Sequence, residues 1–312
     1  SRGNVTVQKE FETLVKAQSS NVYADNTDPL DVTLLGDNYF TQTRQLNKDY
    51  MMSFDAERLL VNYKKTSGLP TSATQYEGWI TAENGGSGNT MGHYLSALTY
   101  LYAEEGDTEV GERLDYMLAE LVLCMDNYGK LHPSEKGYWG GVSSSVLTDL
   151  ENGGNPFVPY YVIEKNIWGA YNAYTILGNQ DAKALMYGLG EYTANRINSY
   201  SDEMLTRVLK REYGGIGTMM FMLYGLSGNK AYLTAAQKFL EPAVFDLIDR
   251  DEDPFAWKHA NTQIPKIYSA AWGYYVTGDQ HYLELAKKGF DYLTVGRTFA
   301  TGNISETEDL HP

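Results

Sequence analysis

Cysteine is nearly missing from this 312-residue chain: Cys124 stands alone, in the apolar run LAELVLCMD. A single thiol forms no intrachain disulfide and no cysteine metal cluster, so it reads as a small buried hydrophobe. Basic residues are also short, with 25 Lys and Arg against 40 Asp and Glu, a net charge of −15. Phosphate backbones are held by clustered Lys and Arg, and no such stripe exists here, which excludes nucleic acid as a partner. Long apolar runs are lacking too. The nearest, Tyr213 to Asn229, is uncharged but broken by five glycines, so no segment reads as a membrane span. No basic-plus-apolar leader opens the sequence, so any signal peptide is expected to have been removed or never present. The signatures GxSxG, P-loop, Rossmann fingerprint and HExxH are absent, and none of the five His lies at zinc-ligand spacing from another.

In excess is tyrosine, 26 residues beside 5 Trp. Rings with a polar tip suit clefts that are half apolar and half wet, the character of carbohydrate sites. The chain also repeats itself. LTYLYAEEGD (98–107), YNAYTILGN (171–179), FMLYGLSGN (221–229) and WGYYVTGD (272–279) are aromatic, small-residue helical patterns closed by Gly and then Asp or Asn. Gly takes the left-handed conformation that ends a helix, and the next residue caps the following one. The last two intervals between these glycines are 50 residues each. The first is longer and holds an insertion rich in Gly, Ser and Pro. The expected fold is therefore mainly α, an (α/α)6 toroid of helical hairpins with Gly- and Ala-rich inner helices around a cavity. Residues 1–50 are expected to form an N-terminal arm and first helix, and 51–312 a barrel of catalytic type whose ring is incomplete. Strand signals are few: DVTLL at 31–35 and the chain start.

In such a ring the chemistry belongs at the inner-helix N-termini. Trp79 in YEGW is a candidate sugar-stacking face, and His93 opens the helix after it. Tyr138 and Trp139 in GYWGG form a second stacking candidate. Glu164 and Lys165 begin the next inner helix; as sequence neighbours they are not expected to face one direction, and a solvated pair is an equal reading. Thr218 lies on the third inner helix, and His259 and Gln263 stand in HANTQ at the mouth of the fourth. Glu306 and Glu308 follow a Gly-Asn turn near residue 303. Two carboxylates at a cavity rim suit general acid work, although an acidic run in isolation is more often solvated surface.

Taken in order, YEGW, GHYLSAL, GYWGG, REYGG, HANTQIPK and ATGNISETE resemble the family once called DUF1680 and now placed with the β-L-arabinofuranosidases of glycoside hydrolase family 127. The resemblance runs from about residue 31 to the end. It implies an (α/α)6 barrel followed by β-sandwich modules, and exo-acting removal of L-arabinofuranose or related sugars from plant-type glycans. It also implies a retaining mechanism with a zinc-bound cysteine nucleophile and a glutamate acid/base. Carried over by position, Glu308 takes the acid/base role, and His93 and His259 are pocket histidines. Trp79, Tyr138, Trp139, Glu164, Thr218 and Gln263 complete the expected sugar-binding set. The chain departs from the family at Gly215-Ile216-Gly217-Thr218, where a carboxylate is usual, and at Glu164-Lys165, where His-Lys is usual. Cys124 matches none of the family's cysteines, so no cofactor is identifiable, and zinc enters only if a longer chain supplies cysteine ligands. The sequence thus points to a glycoside hydrolase acting outside the cytoplasm on an oligo- or polysaccharide. The alternative is a non-catalytic carbohydrate-binding relative, motivated by Thr218 and the missing cysteines.

Overall fold

Left-handed glycines mark the helix ends. The structure, a computed structural model, describes residues 27–78, 88–212 and 214–312. Gly106, Gly178, Gly228 and Gly278 have φ of 67°, 70°, 70° and 73°, and each closes a helix through its backbone N–H. Only glycine adopts this conformation without steric cost. The Asp or Asn that follows then caps the next helix. Asp107 accepts from the N–H groups of Glu109 and Val110, Asn179 from Ala182, Asn229 from Ala231, and Asp279 from His281.

In chain order the helices are α1 (Tyr39–Met52), α2 (Ala56–Thr66), α3 (Asn89–Glu105), α4 (Thr108–Leu131), α5 (Ser145–Glu151), α6 (Pro159–Leu177) and α7 (Gln180–Ser199). They continue as α8 (Asp202–Leu209), α9 (Gly215–Ser227), α10 (Lys230–Lys238), α11 (Pro242–Asp249), α12 (Ala260–Thr277) and α13 (Gln280–Thr294). Two compact units emerge. The described residues up to Asp149, with Gly154–Tyr192, form the first; Leu150–Gly153 and Thr193–Pro312 belong to the second. Trp79 and the arm up to residue 26 lie outside the described residues.

In the first unit α3 packs along α6, and glycine brings the two backbones into contact. A Cβ on Gly92 would lie 1.8 Å from the Lys165 carbonyl oxygen, and one on Gly169 would lie 2.6 Å from that of Gly92. Helix α6 is buried around most of its circumference, as an inner helix must be. Helix α4 instead buries one stripe, Val110, Leu114, Met117, Leu121, Cys124 and Tyr128, the spacing of an amphipathic outer helix.

In the second unit α9 and α13 both pack on α12, and α11 packs on α13. Phe245, Ile248, Phe255, Ile267, Leu285 and Leu310 share one core there. The strand pairing among the described residues is one antiparallel ribbon, β1 (Lys258–His259) with β2 (Asp309–Leu310), in the register Lys258↔Leu310 and His259↔Asp309. The strand expected at 31–35 does not form. Pro29–Asp31 is a 3-10 turn, and the exposed Leu34 bonds through its N–H to the Glu104 carboxylate at 3.4 Å; among the described residues no strand pairs with the segment. Among the described residues no helix is long and apolar enough to cross a membrane.

Candidate active site

The polar mouth of α12 is built by a returning segment. Leu310 is fully buried and anchors β2, whose neighbourhood bonds back to the α12 side: Trp257 N–H to the Leu310 carbonyl at 2.7 Å, and Ala260 N–H to that of Glu308 at 2.7 Å. Just before it, Glu306 and Asp309 exchange backbone bonds of 3.0 and 2.9 Å. The turn between them holds Thr307 at φ 50° and Glu308 at φ 70°. Turns of this kind favour Gly or Asn, and left-handed backbone costs other residues about 1–2 kcal/mol each. The turn turns Glu308 toward His259: the imidazole Nε2 lies 3.4 Å from the carboxylate Oε2, while Glu308 stays 83% exposed. His259 Nδ1 is 2.8 Å from the Thr262 hydroxyl. When Nδ1 accepts from that hydroxyl, Nε2 carries the proton facing Glu308. Pro265 inside α12 lacks the N–H that would pair with the Asn261 carbonyl, adding an acceptor to the same first turns.

A second polar cluster belongs to the first unit, where α3 and α6 begin. Glu164 is 2% exposed, and its Oε1 lies 2.9 Å from Lys165 Nζ. This corrects the solvated-pair reading: the four-carbon lysine chain folds back to reach a carboxylate one residue away. Burial pushes the Glu164 carboxyl above the usual carboxylate range, with the Lys165 charge opposing. The Lys165 ammonium also lies 4.7 Å from the Tyr161 ring centroid. His93 is exposed, yet burial by the surrounding protein, and then the Lys165 charge, lower its pKa. Neutral, the imidazole can both donate to and accept from a hydroxyl.

Three expected contacts are corrected. Tyr138 and Trp139 are not stacking platforms: they are 3% and 1% exposed, with the Tyr138 hydroxyl donating to the Val142 carbonyl at 2.8 Å and Trp139 Nε1–H to that of Leu185 at 3.0 Å. The chain turns them inward at Gly137 (φ 93°), where a Cβ would lie 2.4 Å from the Gly188 carbonyl oxygen. Thr218 does not face a ligand either. It is fully buried, its hydroxyl 2.7 Å from that of Ser269, which in turn donates to the Gly214 carbonyl at 2.9 Å. This is a bond between the closely packed α9 and α12. Gln263 is buried as well, and its Oε1 accepts from Lys266 Nζ at 3.1 Å in a network that ends on Glu241. Sequence reasoning gave no separate role to Trp257, although it stands only two residues before His259.

Cys124 has no reactive setting. It is buried in α4, and burial pushes its thiol up to about 11, so almost no thiolate exists at neutral pH. Among the described residues no three His, Cys, Asp or Glu side chains lie close enough together to hold a metal ion. These residues do not fit a zinc site.

The profile described as "Beta-L-arabinofuranosidase, GH127 catalytic domain" matches residues 31–312. No curated protein matches the chain. Among solved structures it is similar to a GH127 β-L-arabinofuranosidase from Geobacillus stearothermophilus T6, with TM-score 0.60 and 15% identity over 99% of this chain and 47% of that one. It is also similar to the GH127 β-arabinofuranosidase BT3674, with TM-score 0.59 and 15% identity over 89% of this chain and 45% of that one. At this identity the likeness shows the fold, the helical hairpins of an α/α toroid. The chain spans about half the length of these two structures.

Proposed function

The chain belongs to the GH127 β-L-arabinofuranosidase catalytic-domain family, and from that premise we propose that the protein hydrolyses glycosidic bonds, releasing terminal L-arabinofuranose or a related sugar from plant-type glycans outside the cytoplasm. The observation that carries this reading is the Glu308–His259 pair: an exposed carboxylate whose Oε2 faces an imidazole at 3.4 Å. Glu308 is the acid/base. Its carboxyl protonates the glycosidic oxygen as the bond from the anomeric carbon to that oxygen breaks, and water then adds to the anomeric carbon while the Glu308 carboxylate takes its proton. His259, braced by Thr262, holds Oε2 and leaves Oε1 to the substrate.

The test is release of monosaccharide from a panel of α- and β-L-arabinofuranosides, linked to p-nitrophenol and to sugars. The sugar-linked substrates need protonation of a poor leaving group, so Glu308→Gln should lower their turnover about 10²–10⁴-fold. Nitrophenol leaves without a proton, and that substrate should lose less. No release from any member of the panel refutes the hydrolase. Full activity in Glu308→Gln removes Glu308 from its role.

A further inference from the structure

Beyond the acid/base pair, we propose that Trp257 is the stacking platform of a sugar subsite beside Glu308. The stacking faces expected from the sequence leave this role open, since Tyr138 and Trp139 are core residues. Among the described tryptophans, Trp257 is the one that is exposed, at 67%. Its backbone is also unusual, with φ of 60°. A bulky residue in the left-handed region is a genuine outlier, and such conformations persist where the surroundings enforce them, commonly at ligand sites.

The surroundings here are explicit. The Trp257 N–H is tied to the Leu310 carbonyl at 2.7 Å, and Leu310 is buried in the core of the second unit. The indole meets the His311 ring at a centroid distance of 4.7 Å. His311 is itself held, because Arg297 donates to its carbonyl at 2.5 Å while also pairing with Asp253. One side of the indole is thus braced and the rest is open to solvent. The ring stands two residues from His259, on the ribbon that delivers Glu308. A ligand that suits this surface has an apolar C–H face for the indole and hydroxyls for the carboxylate–imidazole pairs the ribbon carries, His259–Glu308 and His311–Glu306, which is the description of a sugar ring. The choice of arabinofuranose as that sugar rests on the function proposed above.

The experiment uses the full chain and methyl β-L-arabinofuranoside, titrated by calorimetry and by tryptophan emission. Trp257→Ala should weaken binding about tenfold, equivalent to about 1.4 kcal/mol, and Trp257→Phe should restore part of it. The sugar-dependent change in emission should vanish in Trp257→Phe and survive in Trp272→Phe. Trp257 is exposed, so both variants should keep the wild-type melting temperature. Unchanged affinity and unchanged emission response in Trp257→Ala overturn the proposal even if the wild-type chain hydrolyses arabinofuranosides. Binding that depends on Trp257 without any hydrolysis supports the subsite and overturns the hydrolase instead. A wild-type chain that does not bind the sugar at all overturns the subsite.

Discussion

Replacing Gly92 by Ala adds a single carbon, and in this protein that carbon has nowhere to go. It would lie 1.8 Å from the Lys165 carbonyl oxygen, 2.1 Å from its carbon and 2.7 Å from the Asn166 nitrogen. All three are backbone atoms, so no rotamer change relieves the clash. Helices α3 and α6 must separate by more than about 1 Å, which forfeits much of the dispersion energy along their interface. Overpacking of a core costs about 1–3 kcal/mol when side chains can adjust, so the cost here should be at or above the top of that range. Alanine returns about 1 kcal/mol of helix propensity, leaving a net loss of about 2–4 kcal/mol. At about 2–4 °C per kcal/mol for a chain of this size, the melting temperature should fall by about 10 °C. Gly129→Ala is the matched control. It also lies inside a helix, α4, but its Cβ would meet the Lys136 Cα at an ordinary 3.6 Å, so stability should hold or rise by up to about 1 kcal/mol. Calorimetric melting of both variants decides the matter. A Gly92→Ala protein that melts within about 2 °C of wild type would refute the backbone contact between α3 and α6.

The buried network at Lys266 should be equally intolerant: Lys266→Met strands the largely buried Glu241 carboxylate and the Gln263 Oε1, costing about 3 kcal/mol or more by urea denaturation, and a loss below about 1 kcal/mol would contradict the pairing. Glu164 carries a pH signature. Its folded-state pKa is raised by burial, so between the ordinary carboxylate pKa and that raised value the folded state binds more protons than the unfolded one. Stability therefore falls as pH rises through this window, and stays lower above it. Glu164→Gln should remove this slope, and melting curves at stepped pH that decline equally in both proteins would exclude Glu164 as its source.

How much of this was legible depends on how local each cause is. The hairpin period needed only the dipeptides Gly106-Asp107, Gly178-Asn179, Gly228-Asn229 and Gly278-Asp279, because a left-handed helix end and a cap are decided within a few residues. The order of short motifs likewise carried the family. Side-chain exposure was not local in this sense. Tyr138 and Trp139 looked like a platform in a Gly-rich loop, yet Gly137 turns them into the core against Gly188, some 50 residues later. Thr218 looked like a replaced active-site group, and its partner Ser269 lies 51 residues away.

By itself, then, the sequence determined where four helices stop at a left-handed glycine and the next ones are capped, and which family the chain belongs to. Capping, left-handed glycine and hydrophobic period act over a few residues and do not wait for the rest of the chain. Only the tertiary structure decided which polar groups are available for chemistry. It sealed Thr218 and Gln263 between helices, folded Lys165 back on a buried Glu164, and brought Glu308 and His259, 49 residues apart in sequence, within 3.4 Å. Those outcomes depend on close backbone contacts and on the burial of Leu310, energies that exist only once distant segments have met.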